Sequence, residues 1–379
     1  MKWCRGCGSW GLRRILDLGQ VPAADDFPLA AAPVTAAETS HPLAMDRCAA
    51  CGLAQLADDD TVTAEPRGVE PQALRDQAAA AVADVAAAGY LRGQTVREFG
   101  SPHGGTWLPL LAERGFVESD CADVVLDSLG IMHEPDQAAA FARRVASTAP
   151  DGVLLMHFHS FATIMREGQW NALRHGHFAY YSLRSMTTLL RVCGMSAVDA
   201  WRYDLYGGTV LVAARLGVHA PSETLRAIAD DESAVLRGMD PTALQDAVDA
   251  HTAVLREWLE AARGAGESVY AYGAASRAVA LFHRAGADTS LVAGVADASP
   301  GKRGRRMPGT DIPIISPEEL IAAQPDRVLL TVPDLLDEVS TRYPELSGRW
   351  YVDGLDLNGT GVATAGGTRV SGDVREVQV

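Results

Sequence analysis

The sequence predicts an α/β protein in three parts, a small metal-stapled module followed by two separate strand–helix series. Three observations predict it. Two Cys-x-x-Cys pairs, Cys4/Cys7 and Cys48/Cys51, fall inside the first 57 residues. From residue 72 onward, short apolar runs of strand length alternate with amphipathic stretches of helix length, the pattern of strands wrapped by helices. A charged helical stretch at 221–264 separates one series from the next. A chain of 379 residues exceeds what one core organises well, so several domains are expected.

Residues 1–57 are punctuated by Gly, Pro and Cys, with short apolar pieces at 15–16 and 53–56. Cys4, Cys7, Cys48 and Cys51 supply four thiolates, and Gly8 and Gly52 follow each pair, allowing tight turns beside the sulfurs. A loop-rich module of this size needs such a staple, and four thiolates leave a tetrahedral ion no open position. The expected ion is structural zinc. Cys121 and Cys193 stand apart and are expected as buried small hydrophobes. Residues 58–71, acidic and Pro-containing, read as a linker.

The Ala-rich stretch at 72–88 predicts a helix. Strands are expected at 95–99, 123–126, 153–157 and 210–214, with helices at 108–114, 136–148 and 183–192. Beyond the helical stretch, whose inward positions are Leu225, Leu236, Leu244, Leu255 and Leu259, strands are expected at 269–272, 291–296, 327–331 and 350–352. A helix is expected at 274–284. The Gly- and Thr-rich tail at 359–379 reads as disordered. A net charge of −15 argues against nucleic acid and membrane partners. No apolar run reaches membrane-spanning length, and the N-terminus lacks a signal-like stretch, so a cytoplasmic protein with a small-molecule substrate is expected.

Several motifs together resemble one enzyme family. They are Cys4-Arg5-Gly6-Cys7-Gly8, Leu16-Asp17-Leu18-Gly19 with Pro22 and Phe27, and Cys48-Ala49-Ala50-Cys51-Gly52. His175-Gly176-His177-Phe178 and Gly207-Gly208 lie in the middle of the chain. Tyr272-Gly273-Ala274-Ala275-Ser276-Arg277 comes next, then Asp297, Pro300, Lys302, Gly304, Arg305 and Pro308-Gly309-Thr310. The pattern resembles the zinc-containing C-methyltransferases acting on dTDP-linked 4-keto-deoxysugars, enzymes of natural-product biosynthesis. The resemblance implies a zinc module (1–57), a Rossmann-like methyltransferase domain (72–218) and a C-terminal Rossmann-like substrate domain (219–358).

The departures are concentrated in the second part. The family's Glu-Ile-Gly-Ser-Asn-Asp-Gly turn is here Glu98-Phe99-Gly100-Ser101-Pro102-His103-Gly104, and proline removes a backbone N–H. Gly100, Ser101 and Gly104 are what remains of the S-adenosylmethionine turn. The gap from Gly115 to Asp123 leaves no room for the family's second strand, helix and third strand, whose acidic end holds the cofactor ribose. The domain therefore reads as shortened, and S-adenosylmethionine is not expected as a cofactor.

What the resemblance keeps is acid–base equipment. It assigns the base beside the C4 ketone to His177, and a near-neutral imidazole suits deprotonation next to a carbonyl. His157 and His159 alternate along one strand face; with His175 they complete a histidine set, conceivable also as a second metal site. Arg174 replaces the family's tyrosine and could stabilise an enolate oxygen. Tyr272, Gly273, Ala274, Ser276, Arg277, Lys302 and Arg305 are the expected substrate contacts, with the basic run at 302–306 suited to a diphosphate. The reading is S-adenosylmethionine-independent proton abstraction (epimerisation, isomerisation, elimination or cyclisation) on a nucleotide-linked keto-sugar or related intermediate. The alternatives are a working sugar C-methyltransferase and a non-catalytic partner of a sugar-modifying enzyme.

Overall fold

The computed structural model describes residues 3–61, 69–240 and 242–354; the expected 359–379 tail lies outside them. Three antiparallel strands, β1 (Leu12–Val21), β2 (His41–Cys48) and β3 (Ala54–Leu56), build the first module. Both cysteine pairs sit at its turns, with Cys48 closing β2.

The middle region runs α1 (Gln72–Ala87), β4 (Thr95–Gly100), α2 (Leu108–Ala112), β5 (Val117–Glu118), β6 (Ala122–Ser128), α3 (Gln137–Ala146) and β7 (Thr148–His159). It continues through α4 (Phe161–Arg166), β8 (Ala179–Tyr180), α5 (Leu183–Val192), β9 (Met195–Tyr203) and β10 (Thr209–Leu216). The sheet order is β5-β4-β6-β7-β10-β9. Its first four strands are parallel, and β10 runs antiparallel to both neighbours.

Two boundaries differ from those the sequence suggests. β8 leaves the middle sheet and pairs with β3, Ala54 opposite Tyr180, so the first module is closed by a piece of the middle region and does not end at residue 57. Further on, α6 (Glu223–Gly238) packs against α4, α5 and β9 and so belongs to the middle region, not to the last. Its buried Glu232 accepts from the Ser160 hydroxyl and the Leu183 amide, both at 2.5 Å, which ties the helix in place. Cys121 is exposed and Cys193 only half-buried, so neither is the core hydrophobe expected; both lie at the ends of elements, on the margin of the apolar core.

The last region comprises α7 (Ala243–Gly264), β11 (Val269–Tyr272), α8 (Ser276–Ala285), β12 (Val295–Ala296), β13 (Ile314–Ile315), α9 (Pro317–Ala323), β14 (Arg327–Leu330), α10 (Leu336–Arg342) and β15 (Trp350–Val352). All five strands are parallel, ordered β13-β12-β11-β14-β15. The strand expected from 291 shrinks to two residues because the amides of Leu291 and Val292 turn back to the Asp288 carbonyl. Of the expected inward leucines, Leu225, Leu244, Leu255 and Leu259 are buried, whereas Leu236 only abuts the core.

In each doubly wound sheet the winding reverses beside the first strand. That reversal opens a crevice at the carboxyl ends of two adjacent strands, where ligands of such folds bind. In the middle sheet the crevice lies between β4 and β6, and in the last sheet between β11 and β14. Loops from both crevices line a single interdomain cleft.

Candidate functional site

The four cysteines form one group, their sulfurs all within 4.8 Å of one another. Cys4 and Cys51 stand 3.6 Å apart and Cys7 and Cys48 3.7 Å. Sulfurs on a tetrahedral zinc, with bonds of about 2.3 Å, are separated by roughly 3.8 Å. The geometry therefore fits zinc. The Cys7 amide lies 3.5 Å from the Cys4 sulfur, and a thiol contact from Cys51 draws the Cys4 thiol down to about 5, favouring the thiolate that a metal requires. A Cβ on Gly6 would stand 2.9 Å from the Leu189 side chain of α5. The staple is thus packed onto the middle region, away from the cleft. Its role is structural.

The segment Arg174–His177 is anchored by a different neighbour at nearly every residue. Arg174 Nη1 donates to Ser276 Oγ at 2.7 Å, His175 Nε2 lies 3.2 Å from the Pro42 carbonyl, and the Gly176 amide donates to Asp59 at 2.8 Å. Gly176 has φ +74°, a conformation that side chains resist. That turn sends His175 and His177 in opposite directions. His177 enters the cleft, and His175 faces the first module, so His175 does not join the site.

His157 and His159 both line the cleft, as their alternation predicts. They differ in commitment. His157 Nε2 is bonded to Gln77 at 2.9 Å, and burial alone pulls its imidazole down to about 3. His159 Nε2 has no hydrogen-bond partner. Burial, reinforced by Arg277 and Arg174, brings its imidazole also to about 3, leaving it neutral with an available lone pair. His177 is 2 % exposed, and neither of its ring nitrogens has a partner.

The histidines brought together are not the expected set of 157, 159, 175 and 177. His103, His133 and His177 form the group, with ligand nitrogens within 4.8 Å of one another. His103 comes from the turn after β4 and His133 from the short helical turn after β6. The sequence signal that points to them is their place in the loops after two neighbouring parallel strands. The His133 loop is held tightly. Asp127, fully buried, accepts the Gly130 and Ile131 amides at 2.9 and 3.0 Å and pairs with buried Arg144 at 2.5 Å. A Cβ on Gly130 would stand 2.5 Å from the Phe99 carbonyl oxygen.

Across the cleft, Gly273, Ser276 and Arg277 line the β11–β14 crevice with Tyr272 and Lys302. Gly273 has φ +98°, and a Cβ would stand 2.7 Å from Val332 and 2.8 Å from Thr331, so only glycine lets the turn pass β14. α8 then starts without a side-chain cap, leaving its positive end for an anion. Ala274 is committed internally, its amide to Asp297 and its carbonyl to Lys302 Nζ. Arg305 departs from expectation too: it lies outside the cleft and donates to the Phe27 carbonyl at 2.5 Å. Arg306 makes a buried two-pronged pair with Glu38 at 2.6 and 2.8 Å. The basic run at 302–306 largely clamps the first module to the last region. Among the described residues, no carboxylate lies within ion-pair distance of Arg174 or Arg277, and the Arg277 guanidinium lies 5.6 Å from the centre of the Tyr206 ring. Tyr206, missed in sequence, adopts φ +56° to reach this position.

Of the S-adenosylmethionine turn, Ser101 and Gly104 line the cleft. The second strand, expected to be lost, survives as β5 with two residues ending in Glu118. Its register places Glu118 opposite Val96, four residues before the end of β4. At ~3.3 Å per residue, this carboxylate falls about 13 Å short of the turn. A Cβ at Gly105 would already meet Glu70 at 3.0 Å, so the start of α1 crowds the turn from above. These residues do not fit the cofactor by the usual contacts.

Residues 204–352 match the family model described as "C-methyltransferase C-terminal domain", and residues 4–65 match "Putative zinc binding domain". The chain is 27% identical over 229 residues to the C-methyltransferase NovU of Streptomyces niveus, a match covering 58% of this chain and 54% of that protein. The chain thus spans about half the length of that relative. Among solved structures, a 1,6-didemethyltoxoflavin-N1-methyltransferase of Burkholderia thailandensis is 18% identical, covering 39% of this chain and 80% of its own, with TM-score 0.28. A magnesium protoporphyrin IX methyltransferase of Synechocystis PCC 6803 is 14% identical, covering 38% and 80%, with TM-score 0.29. Overlaps this partial carry nothing about what the chain does.

Proposed function

Because the chain belongs to the zinc-containing C-methyltransferase family, we propose that its cleft performs the proton abstraction of that chemistry without S-adenosylmethionine, on a nucleotide-linked keto-sugar or a related anionic intermediate. One observation carries the reading. Two guanidinia without ion-paired carboxylates, Arg174 and Arg277, share a cleft with a buried neutral imidazole whose Nε2 is unpartnered, His159. The arginines and the uncapped start of α8 supply anion contacts for a diphosphate.

His159 takes the proton from the carbon beside the carbonyl, and Arg174 faces the enolate oxygen that results. The resemblance gives this proton to His177, but His177 is packed among two other histidines, whereas His159 stands beside the arginines. An anion bound there would offset the two positive charges that depress His159, and so raise its basicity when substrate is present. The outcome of reprotonation, and hence the product, depends on substrate.

The test is solvent exchange. Incubated in D2O with a dTDP-4-keto-6-deoxysugar and no methyl donor, the protein is expected to place deuterium beside the carbonyl, and His159→Ala to lose most of that exchange. Absence of exchange in the wild type, with dTDP bound, overturns the reading. A second reading, methyl transfer, is favoured by the family and by Ser101 and Gly104 remaining at the cleft. Calorimetric binding of S-adenosylmethionine would promote it.

A further inference from the structure

The histidine trio has no part in the proton transfer above, yet it is the densest cluster of potential ligands in the cleft. We propose that His103, His133 and His177 form a second metal site, for a divalent transition ion of the zinc, iron(II) or nickel class, with a coordination position open to the cleft.

The argument begins with what each ring can offer. His133 Nδ1 lies 3.2 Å from the Gly176 carbonyl. Donating there fixes the proton on Nδ1 and leaves Nε2 as a lone pair, the outer-shell arrangement typical of metal-bound histidine. His177 is buried with both nitrogens unpartnered, an expensive arrangement for a polar ring with no ligand. The ring centres of His133 and His177 are 4.3 Å apart and those of His103 and His133 4.8 Å. Three imidazoles at these separations are near the spacing a shared ion imposes. On a tetrahedral ion with bonds of about 2.0–2.1 Å, nitrogens stand roughly 3.3 Å apart, so a spread of up to 4.8 Å closes by side-chain rotation. His103 and His133 are each partly exposed and have the room to turn.

Donor chemistry sets the class of ion. An all-imidazole set suits zinc, iron(II), nickel or copper and not magnesium or calcium. Three ligands leave zinc one open position, the arrangement of a Lewis-acid site and not of a staple. Charge sets a further condition. Arg174 acts on His177 through its positive charge, and the same repulsion acts on a dication. The site therefore holds its ion best with an anion, hydroxide or a substrate oxygen, in the open position. The placement is also suggestive within the fold. His103 occupies the turn that serves the methyl donor in the family pattern, and the loop carrying His133 is pinned by Asp127 and Gly130 beside it.

The site does not depend on the exchange reaction, and the two fail separately: the metal count reads only the site. Full-length protein is equilibrated with excess Zn2+, desalted, and assayed for metal per chain by mass spectrometry. Wild type is expected to carry about two equivalents, and His103→Ala and His133→Ala about one each, retained by the thiolates. His157→Leu, outside the trio, is expected to keep two. Should a variant fail to fold, the wild type loaded with Co2+ still reports, because X-ray absorption then shows an imidazole shell besides the sulfur shell. One equivalent in the wild type, or two retained in both trio variants, overturns the proposal.

Discussion

The first turn of the middle sheet and the first turn of the last sheet occupy equivalent places in two doubly wound folds, yet they are built for different ligands. After β11, Gly273 passes β14 at van der Waals limits, and α8, ten residues long, begins at once with no side-chain cap. After β4, the Gly104 amide turns back to the Ser101 carbonyl and the His103 amide to Ser101 Oγ. Glu98 takes the Trp107 amide, and α2, with a proline in its first turn, lasts five residues. One turn keeps amides and a helix dipole for an anion. The other has committed its amides and offers a histidine. A shared fold thus retains its binding place in both halves, while the chemistry at that place is set by how the turn's own amides are used.

The sharpest way to break the comparison is through the aspartates behind the two crevices. Asp127 holds the Gly130 and Ile131 amides while paired with Arg144, both side chains at most 1 % exposed. Asp297 does the same for Ala274 and Ser299, with Lys302 at 3.9 Å and 12% of its own side chain exposed. Asp127→Ala leaves a buried guanidinium without its partner and is expected to cost about 3–5 kcal/mol in denaturant unfolding. Asp297→Ala, partly wetted, is expected to cost well under half of that. Equal losses would show that the two pins are equivalent.

The glycines come next in size. Gly273→Ala drives a Cβ into Val332 and Thr331, and a loss of roughly 2–3 kcal/mol is expected, with dTDP affinity falling alongside. Gly104→Ala meets nothing within 4 Å, so only its φ of +107° opposes it, at about 1 kcal/mol. Thermal unfolding with and without dTDP reads both. A Gly104 variant that loses dTDP as fully as the Gly273 variant would put the nucleotide in the wrong half of the cleft.

How much of this was legible in the sequence depends on the range over which each feature is encoded. The cysteine staple is local: two short repeats whose spacing dictates a four-thiolate ion. β11, β15 and α5 are local too, and their observed bounds equal the expected ones. β8 was invisible because two residues, Ala179 and Tyr180, carry no pattern of their own and become a strand only on meeting β3. The roles within the basic run were misjudged for a similar reason, since Glu38, which absorbs Arg306, lies 268 positions away. Among the histidines, alternation placed His157 and His159 correctly. It misplaced His175, because a positive φ at Gly176 cancels the two-residue period. His103 and His133 are far apart along the chain, and only sheet topology makes them neighbours.

Anion binding on the last region's side ranks third. Arg277→Ala removes a half-buried guanidinium from the start of α8 and is expected to weaken dTDP binding about 10–100-fold by calorimetry. Because Arg277 also depresses His159, the variant should shift the pH profile of solvent exchange as well as its half-saturation. An unchanged profile would separate the arginine from the base.

The smallest effect distinguishes buried histidines that are structural from those that act. His157 is 1 % exposed, bonded to Gln77, and held down to about 3 by burial alone. Its imidazole in the unfolded chain titrates near 6.5. The unfolded state therefore binds the extra proton between those values, and stability falls as pH drops below about 6.5. For this residue alone the loss between pH 7 and pH 6 is about 0.7 kcal/mol, steepening toward ~1.4 kcal/mol per further pH unit. His157→Leu should flatten that part of the acid limb in urea unfolding while keeping the second metal equivalent. If the slope between pH 7 and pH 5 is unchanged in this variant, His157 is wetter than its burial indicates, and the acid lability belongs to other cleft histidines.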